Sequence, residues 1–288
     1  LSSESVGEAF LDHLNRRSVL PCAFAVHEEP IQPGRVYLAP NDNHMLLTPE
    51  KVLITRGPRE NSFRPSVDTM FRSAAAAFDS RAIGIILSGM RDDGVEGLSA
   101  ISRSGGITVV QDPKNAPYPD MPQAALAQTK VDYTVAMIDM GLVVADLVFQ
   151  PIKENASIPE DILNEARIAE RVLTSIDDVE QIGTPTPYNC PSCNGVIWGV
   201  NHGNDIHSFR CNAGHAFTQD SLLQFKSVQI EETLWACLRL LEENKRLLHS
   251  IKGASPSKHK RIAENQIYID HLRSILLGNG NKNSTSDN

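Results

Sequence analysis

Ile83-Gly-Ile-Ile-Leu-Ser-Gly-Met-Arg-Asp-Asp-Gly-Val-Glu-Gly-Leu98 is the stretch from which the fold is read. Ile83 to Leu87 is apolar apart from Gly84, the pattern of a strand buried on both faces of a parallel sheet. Ser88 to Gly94 reads as a tight turn, and Val95, Leu98 and Ile101 then recur at helical spacing. Strand, loop and helix make half a βαβ unit. In open α/β sheets active sites gather at the carboxyl ends of strands, where this loop falls. Asp93 has two readings there. It can be the N-cap of the following helix, with Glu96 three residues on completing a capping box. It can also be a carboxylate that orients a catalytic histidine. Gly89 and Gly94 have the outer spacing of a phosphate-binding loop, but Val95-Glu96 stands where Lys and Ser/Thr are required.

Working outward, the chain alternates strand and helix patterns. A helix is expected over Ser2 to Asn15, and strands over Cys22 to Val26 and Arg35 to Ala39. His44 to Thr48 and Val52 to Arg56 read as a hairpin across Pro49-Glu50-Lys51. A helix starts at Pro65 and runs to Phe78, and another covers Val95 to Ser104, ended by Gly105-Gly106. Ile107 to Gln111 and Val131 to Met137 read as strands, and Pro122 to Ala127 and Leu142 to Phe149 as helices. The expectation for residues 1–150 is an α/β domain with a mainly parallel sheet flanked by helices.

Five ordered motifs carry a family resemblance. They are the Gly89-Met90-Arg91-Asp92-Asp93-Gly94 loop, Arg35-Val-Tyr-Leu-Ala-Pro-Asn-Asp-Asn-His-Met45, Arg64-Pro-Ser-Val-Asp68, Gly105-Gly106 and Met121-Pro-Gln-Ala-Ala125. Together they resemble the chemotaxis methylesterase (CheB) family over residues 1 to 148. The resemblance implies a protein-glutamate methylesterase, a carboxylic ester hydrolase acting on glutamate methyl esters of chemoreceptors. It places Asp93 on the triad aspartate and Met90 on the residue whose backbone N–H helps form the oxyanion hole. Arg91 departs from the glycine common there. The family's serine and histidine lie upstream of the helix that here begins near Ser2, so the chain reads as an N-terminally truncated domain, inactive alone. Ser88 is not in a G-x-S-x-G elbow, and His13, His27 and His44 have no local feature marking a general base.

The chain has 288 residues, 41% hydrophobic and 22% charged, with a net charge of -8, so its overall field does not favour nucleic acid. No apolar run is long enough to cross a membrane. The five cysteines have metal-like spacing, which points to a reducing cytoplasm. Residues 151–187 carry Pro151, Pro159, Pro185 and Pro187 around an acidic amphipathic piece, Asp161 to Val172, and read as a linker with one helix.

Cys190-x2-Cys193-x17-Cys211-x3-His215 is the spacing of a closed structural zinc site: two turns, each presenting two ligands, across residues 188–217. His202 and His207 compete with His215 at poorer spacing. Packing as free core cysteines is the plain alternative. Trp198, Phe209 and Phe217 read as the small core of this zinc ribbon, and Arg210 is the only basic residue from Cys190 to Phe217, which argues against nucleic acid. The segment resembles the zinc-ribbon extension of some stand-alone methylesterase relatives. Residues 218–278 show two apolar stripes, one including Trp235, and are expected to form an α-helical hairpin with Trp235 buried. Residues 279–288 read as a disordered polar tail. A second function class stays open: a non-catalytic adaptor binding a signalling protein through residues 188–277.

Overall fold

The computed structural model describes residues 4–152, 157–171, 176–202, 205–251 and 255–280; for 4–6, 171, 201–202, 205–207 and 278–280 it describes the backbone alone. The chain divides into two compact units, residues 1–222 and 223–288. In the first, helix α1 (Glu4–Arg17) leads to β1 (Cys22–Phe24) and β2 (Val36–Leu38), which pair in parallel. The hairpin of β3 (His44–Leu47) and β4 (Val52–Thr55) follows, then α2 (Val67–Phe78). β5 (Ile83–Ile86), α3 (Val95–Arg103), β6 (Ile107–Gln111), α4 (Asp120–Gln128), β7 (Tyr133–Val135) and α5 (Met140–Val148) complete the α/β part. β5, β6 and β7 lie in that order as one parallel sheet. The strand-loop-helix reading of residues 83–98 is therefore the observed one.

The main core lies between this sheet and its helices. Phe71 and Ala75 of α2, Ile86, Val95, Leu98 and Ile101, and Val110 of β6 are buried together. Helices α2 and α3 approach most closely at Gly97. A Cβ there would lie 2.6 Å from the Phe71 Cβ and 2.9 Å from the Asp68 Cα. Gly97 thus allows an approach that brings its own N–H to 2.7 Å from the Asp68 carboxylate.

The expected linker is instead part of this packing. α6 (Glu160–Arg171) lies on α2, and Ile162 is 1% exposed within the main core. Val172, expected to end this helix, lies outside the described residues. After α7 (Ile176–Glu180), residues 183–189 form strand β8 (Gly183–Asn189) rather than a spacer. It is the edge of a four-stranded antiparallel sheet with β9 (Val196–His202), β10 (Asp205–Cys211) and β11 (Ala216–Thr218). Pro185 is accommodated because an edge strand needs no ladder hydrogen bond on its outer side. Trp198, Phe209 and Phe217 are buried, as expected of a small core.

This sheet rests on the α/β part through a buried ionic cluster. Arg210, 2% exposed on β10, pairs with Glu60 at 3.1 Å and Glu165 of α6 at 3.3 Å. Arg72 of α2 pairs with the same two carboxylates. Burial alone would raise the Glu60 carboxyl, but the Arg210 and Arg72 guanidinium groups outweigh it and hold the pKa at about 2.

Helix α8 (Gln219–Ser250) starts in the first unit and continues into the second, where α9 (Pro256–Gly280) follows. The Ser255 hydroxyl accepts from Lys258 N–H at 3.3 Å, capping α9. Leu238, Leu248 and Ile269 are buried, and Lys245–Gln266 and Arg273–Glu242 link the two helices. Trp235 is 52% exposed, contrary to expectation. From residue 231 on, the less exposed positions of α8 are 234, 238, 241, 242, 245 and 248, all but 242 at heptad spacing, and Trp235 falls one position off that seam. Asn279 and Gly280 are helical, and the rest of the expected tail, residues 281–288, lies outside the described residues.

Candidate functional site

The Ser88–Gly94 loop follows the carboxyl end of β5. It is tied to the next crossover by Gly89 N–H to Tyr118 O at 2.9 Å and Met121 N–H to Gly89 O at 3.0 Å. Ser88 N–H donates to Gln111 Oε1 at 2.8 Å. Arg91 has φ 65°, the left-handed region that glycine takes without strain, which accounts physically for the family's glycine there. The Arg91 side chain is exposed, while Asp92 and Asp93 are buried.

Asp93 is not the cap of its own helix. The N-cap of α3 is Gly94, at φ 95°, with no side-chain cap bond. The Asp93 carboxylate crosses instead to the start of α2. It accepts the Ser66 hydroxyl at 2.7 Å, Val67 N–H at 3.0 and 3.1 Å, and Asp68 N–H at 3.4 Å. The capping motif is thus completed through space, at the positive end of the helix dipole. Burial raises the Asp93 carboxyl above its ordinary value, and these three donors oppose the rise. Asp68 is raised further, first by burial and then by the neighbouring Asp93 charge. Met90 has an exposed side chain.

None of the three candidate histidines is hydrogen-bonded to Asp93 among the described contacts. His44 is buried. Its Nδ1 accepts Ser66 N–H at 3.3 Å, so the proton sits on Nε2, which donates to Pro58 O at 2.9 Å. Burial holds its pKa below the ordinary imidazole value, which fits a neutral packing histidine. His27 Nδ1 accepts Ile54 N–H at 3.1 Å, and His13 is exposed on α1.

Cys190, Cys193, Cys211 and His215 form the second candidate site. Their ligand atoms all lie within 4.8 Å of one another. The Cys193–Cys211 sulfurs are 3.7 Å apart, and Cys211 Sγ is 3.5 Å from His215 Nδ1. A tetrahedron with metal–ligand bonds of about 2.0–2.3 Å has edges of about 3.3–3.8 Å, so the donor set fits a metal ion. The two turns are built alike. Asn194 N–H returns to Cys190 O at 2.8 Å, and Gly214 N–H to Cys211 O at 2.9 Å. Asn194 and Gly214 both take positive φ. The side chains of His202 and His207 lie outside the described residues.

Sequence reasoning missed three residues that join these sites. Arg210 was read only as a lone basic residue. Asn61 lies in a turn and Thr218 at the end of β11, neither within a motif, and only their position in space reveals them: Thr218 N–H donates to Asn61 Oδ1 at 2.9 Å, and its hydroxyl donates to Asp92.

Residues 2–143 match the CheB methylesterase family profile. A "Putative protein-glutamate methylesterase/protein-glutamine glutaminase" of Leptospira interrogans is 40% identical over 114 residues, covering 39% of this chain and 59% of the relative. A "Protein-glutamate methylesterase/protein-glutamine glutaminase" of Photorhabdus laumondii is 38% identical over 137 residues, covering 46% of this chain and 39% of the relative. The crystal structure of the Thermotoga maritima CheB methylesterase catalytic domain aligns with a TM-score of 0.48 at 27% identity, over 49% of this chain and 76% of that one. The match thus spans well under two thirds of either curated relative. Residues 2–143, just under half of the chain, are thus similar to the CheB methylesterase family.

Proposed function

We propose that this chain contributes the triad aspartate and one oxyanion donor of a protein-glutamate methylesterase that acts on methylated chemoreceptors. The observation that carries the reading is Asp93: a buried carboxylate at the end of a parallel strand, held by α2, in the family's loop. In acyl transfer a serine attacks the ester carbonyl while a histidine takes its proton and gives it to the leaving methoxide, which departs as methanol; water then hydrolyses the acyl-serine to free the carboxylate. Asp93 holds the histidine tautomer, and the Met90 N–H stabilises the oxyanion. The serine and histidine are family positions ahead of α1. The relatives' names add a glutaminase activity. Deamidation of a glutamine side chain uses the same acyl-transfer steps with ammonia as leaving group.

The test is methanol release from methylated chemoreceptor by a protein carrying the family's serine and histidine segment ahead of Leu1. Residues 1–288 alone should show background rates. In the longer protein Asp93→Asn should lower the rate by a factor on the order of 10⁴ with the fold intact, the size expected when a tautomer-setting aspartate is lost. Equal rates for the parent and Asp93→Asn would reduce Asp93 to a helix cap.

The Cys3His cluster is the site of a structural zinc ion in this reading. All four positions of a tetrahedron come from the protein, so none is left open for a substrate. Metal analysis of protein purified without chelator should give about one zinc per chain, and Cys193→Ser should abolish it. No helix among the described residues is long and apolar enough to cross a membrane. With a thiolate zinc site, the cytoplasm is the compartment this reading requires.

A further inference from the structure

Asn61 lies between β4 and α2, is 4% exposed, and has its backbone N–H and both side-chain polar atoms engaged. Its backbone N–H donates to Ala216 O at 2.9 Å. Its Oδ1 accepts Thr218 N–H at 2.9 Å and the Ser221 hydroxyl at 2.7 Å. Its Nδ2 donates to Asp68 Oδ2 at 3.0 Å. A backbone N–H can only donate, so the amide orientation is fixed, with oxygen toward β11 and nitrogen toward Asp68. Asn61 also takes φ 48°, a left-handed conformation that Asn adopts more readily than most residues.

Two routes therefore run from the end of the four-stranded sheet to Asp93. One passes from Thr218 and Ser221 through Asn61 to Asp68, whose N–H contacts Asp93. The other passes from the Thr218 hydroxyl to Asp92, the residue beside Asp93 in the loop. We propose that Asn61 and Thr218 are positioning residues, through which docking of the four-stranded sheet sets the geometry of the Asp93 carboxylate. With the sheet docked, Asn61 is held where its Nδ2 serves Asp68, and Asp68 keeps the first turn of α2 against Asp93. Without it, the Asn61 amide is free to turn, Asp68 loses a donor, and the N–H groups that hold Asp93 loosen. That this carboxylate is catalytic rests on the proposed function; the coupling does not.

The test reads no turnover, so it stands or fails apart from the esterase reading. Amide exchange is measured at Val67 and Asp68, with Val109 and Val110 of β6 as reference, together with the pH titration of the Asp93 carboxyl by carbon NMR. Thr218→Val should speed exchange at Val67 and Asp68 by roughly five- to tenfold over the reference, the scale of one lost buried hydrogen bond, and move the Asp93 titration. Thr218→Ser keeps the hydroxyl and should behave as the parent. Asn61→Ala, if it folds, should act like Thr218→Val. Unchanged exchange and titration in Thr218→Val would overturn the proposal. Equal acceleration at α2 and β6 would also overturn it, because it would show only a general loss of stability.

Discussion

Arg210→Met is the most direct test of how the four-stranded sheet is held. Arg210 is 2% exposed and shares Glu60 and Glu165 with Arg72, so the cluster has two cations and two carboxylates. Removing one cation leaves a buried negative charge. Breaking a buried ion pair from one side costs about 3–5 kcal/mol, mostly the penalty on the abandoned partner. Methionine fills much the same space, so lost packing adds little. The pH dependence follows from Glu60. Its folded pKa of about 2 lies below its ordinary 4.5, so its contribution is present above about pH 4.5 and lost as pH falls toward 2. Without Arg210, the cation that lowers it most, the Glu60 carboxyl rises. The gap between parent and variant should therefore be full at pH 7 and shrink between pH 4.5 and 2. The assay is urea unfolding followed by Trp198, buried on the neighbouring strand, with Trp235→Phe as background. A loss below about 1 kcal/mol at pH 7, or a gap that does not shrink in acid, would mean the cluster is solvated and does not bear the sheet.

Other outcomes follow from the same contacts. Glu60→Gln should flatten the acid limb of the stability profile, which in the parent falls by something on the order of 3 kcal/mol between pH 4.5 and 2; urea midpoints across that range check it. Ile162→Ala should cost about 2–5 kcal/mol by chemical denaturation, because this residue of the 151–187 segment is core rather than spacer. Trp235→Ala should cost no more than about 1–2 kcal/mol, short of a core tryptophan's value, and the Trp235 emission in the parent should be that of a half-exposed ring. Metal removal should unfold the 190–215 turns and weaken the Arg210 pairs with them, seen as a change in Trp198 fluorescence.

The elements that were legible in the sequence are those fixed by neighbours in the chain. The apolar run at Ile83, the helical spacing of Val95, Leu98 and Ile101, and the Cys-x2-Cys and Cys-x3-His turns are local patterns, and each appears where expected. The misreadings share one physical cause, a partner distant in sequence. Asp93 has the sequence of an N-cap for α3, but its acceptor atoms reach α2, 25 to 27 residues earlier. Pro185 and Pro187 look like linker punctuation, and the edge position that tolerates them exists only once β9 is alongside. Arg210 is ordinary until two carboxylates from residues 60 and 165 meet it. Trp235 was read into the apolar stripe of α8, whereas the seam toward α9 follows 234, 238, 241, 245 and 248 and leaves it outside.

The pairing of Asp68 with Asp93 decides which carboxylate can carry charge in the site. Both are buried and both are raised above ordinary values, Asp68 the more so. Their surroundings differ. Asp93 collects a hydroxyl and two N–H groups at the start of α2, where the helix dipole also favours a negative charge. Asp68 receives one N–H from Gly97 and one amide proton from Asn61, and it faces the Asp93 charge. The donors at the start of α2 favour the charged form of Asp93, whereas burial and the Asp93 charge disfavour that of Asp68. An ionised aspartate is what a histidine needs to hold its tautomer and to stabilise its imidazolium form. The helix start at Ser66-Val67-Asp68 thus does two jobs: it terminates α2 favourably, and its donors favour the charged form of the carboxylate proposed above as the triad aspartate.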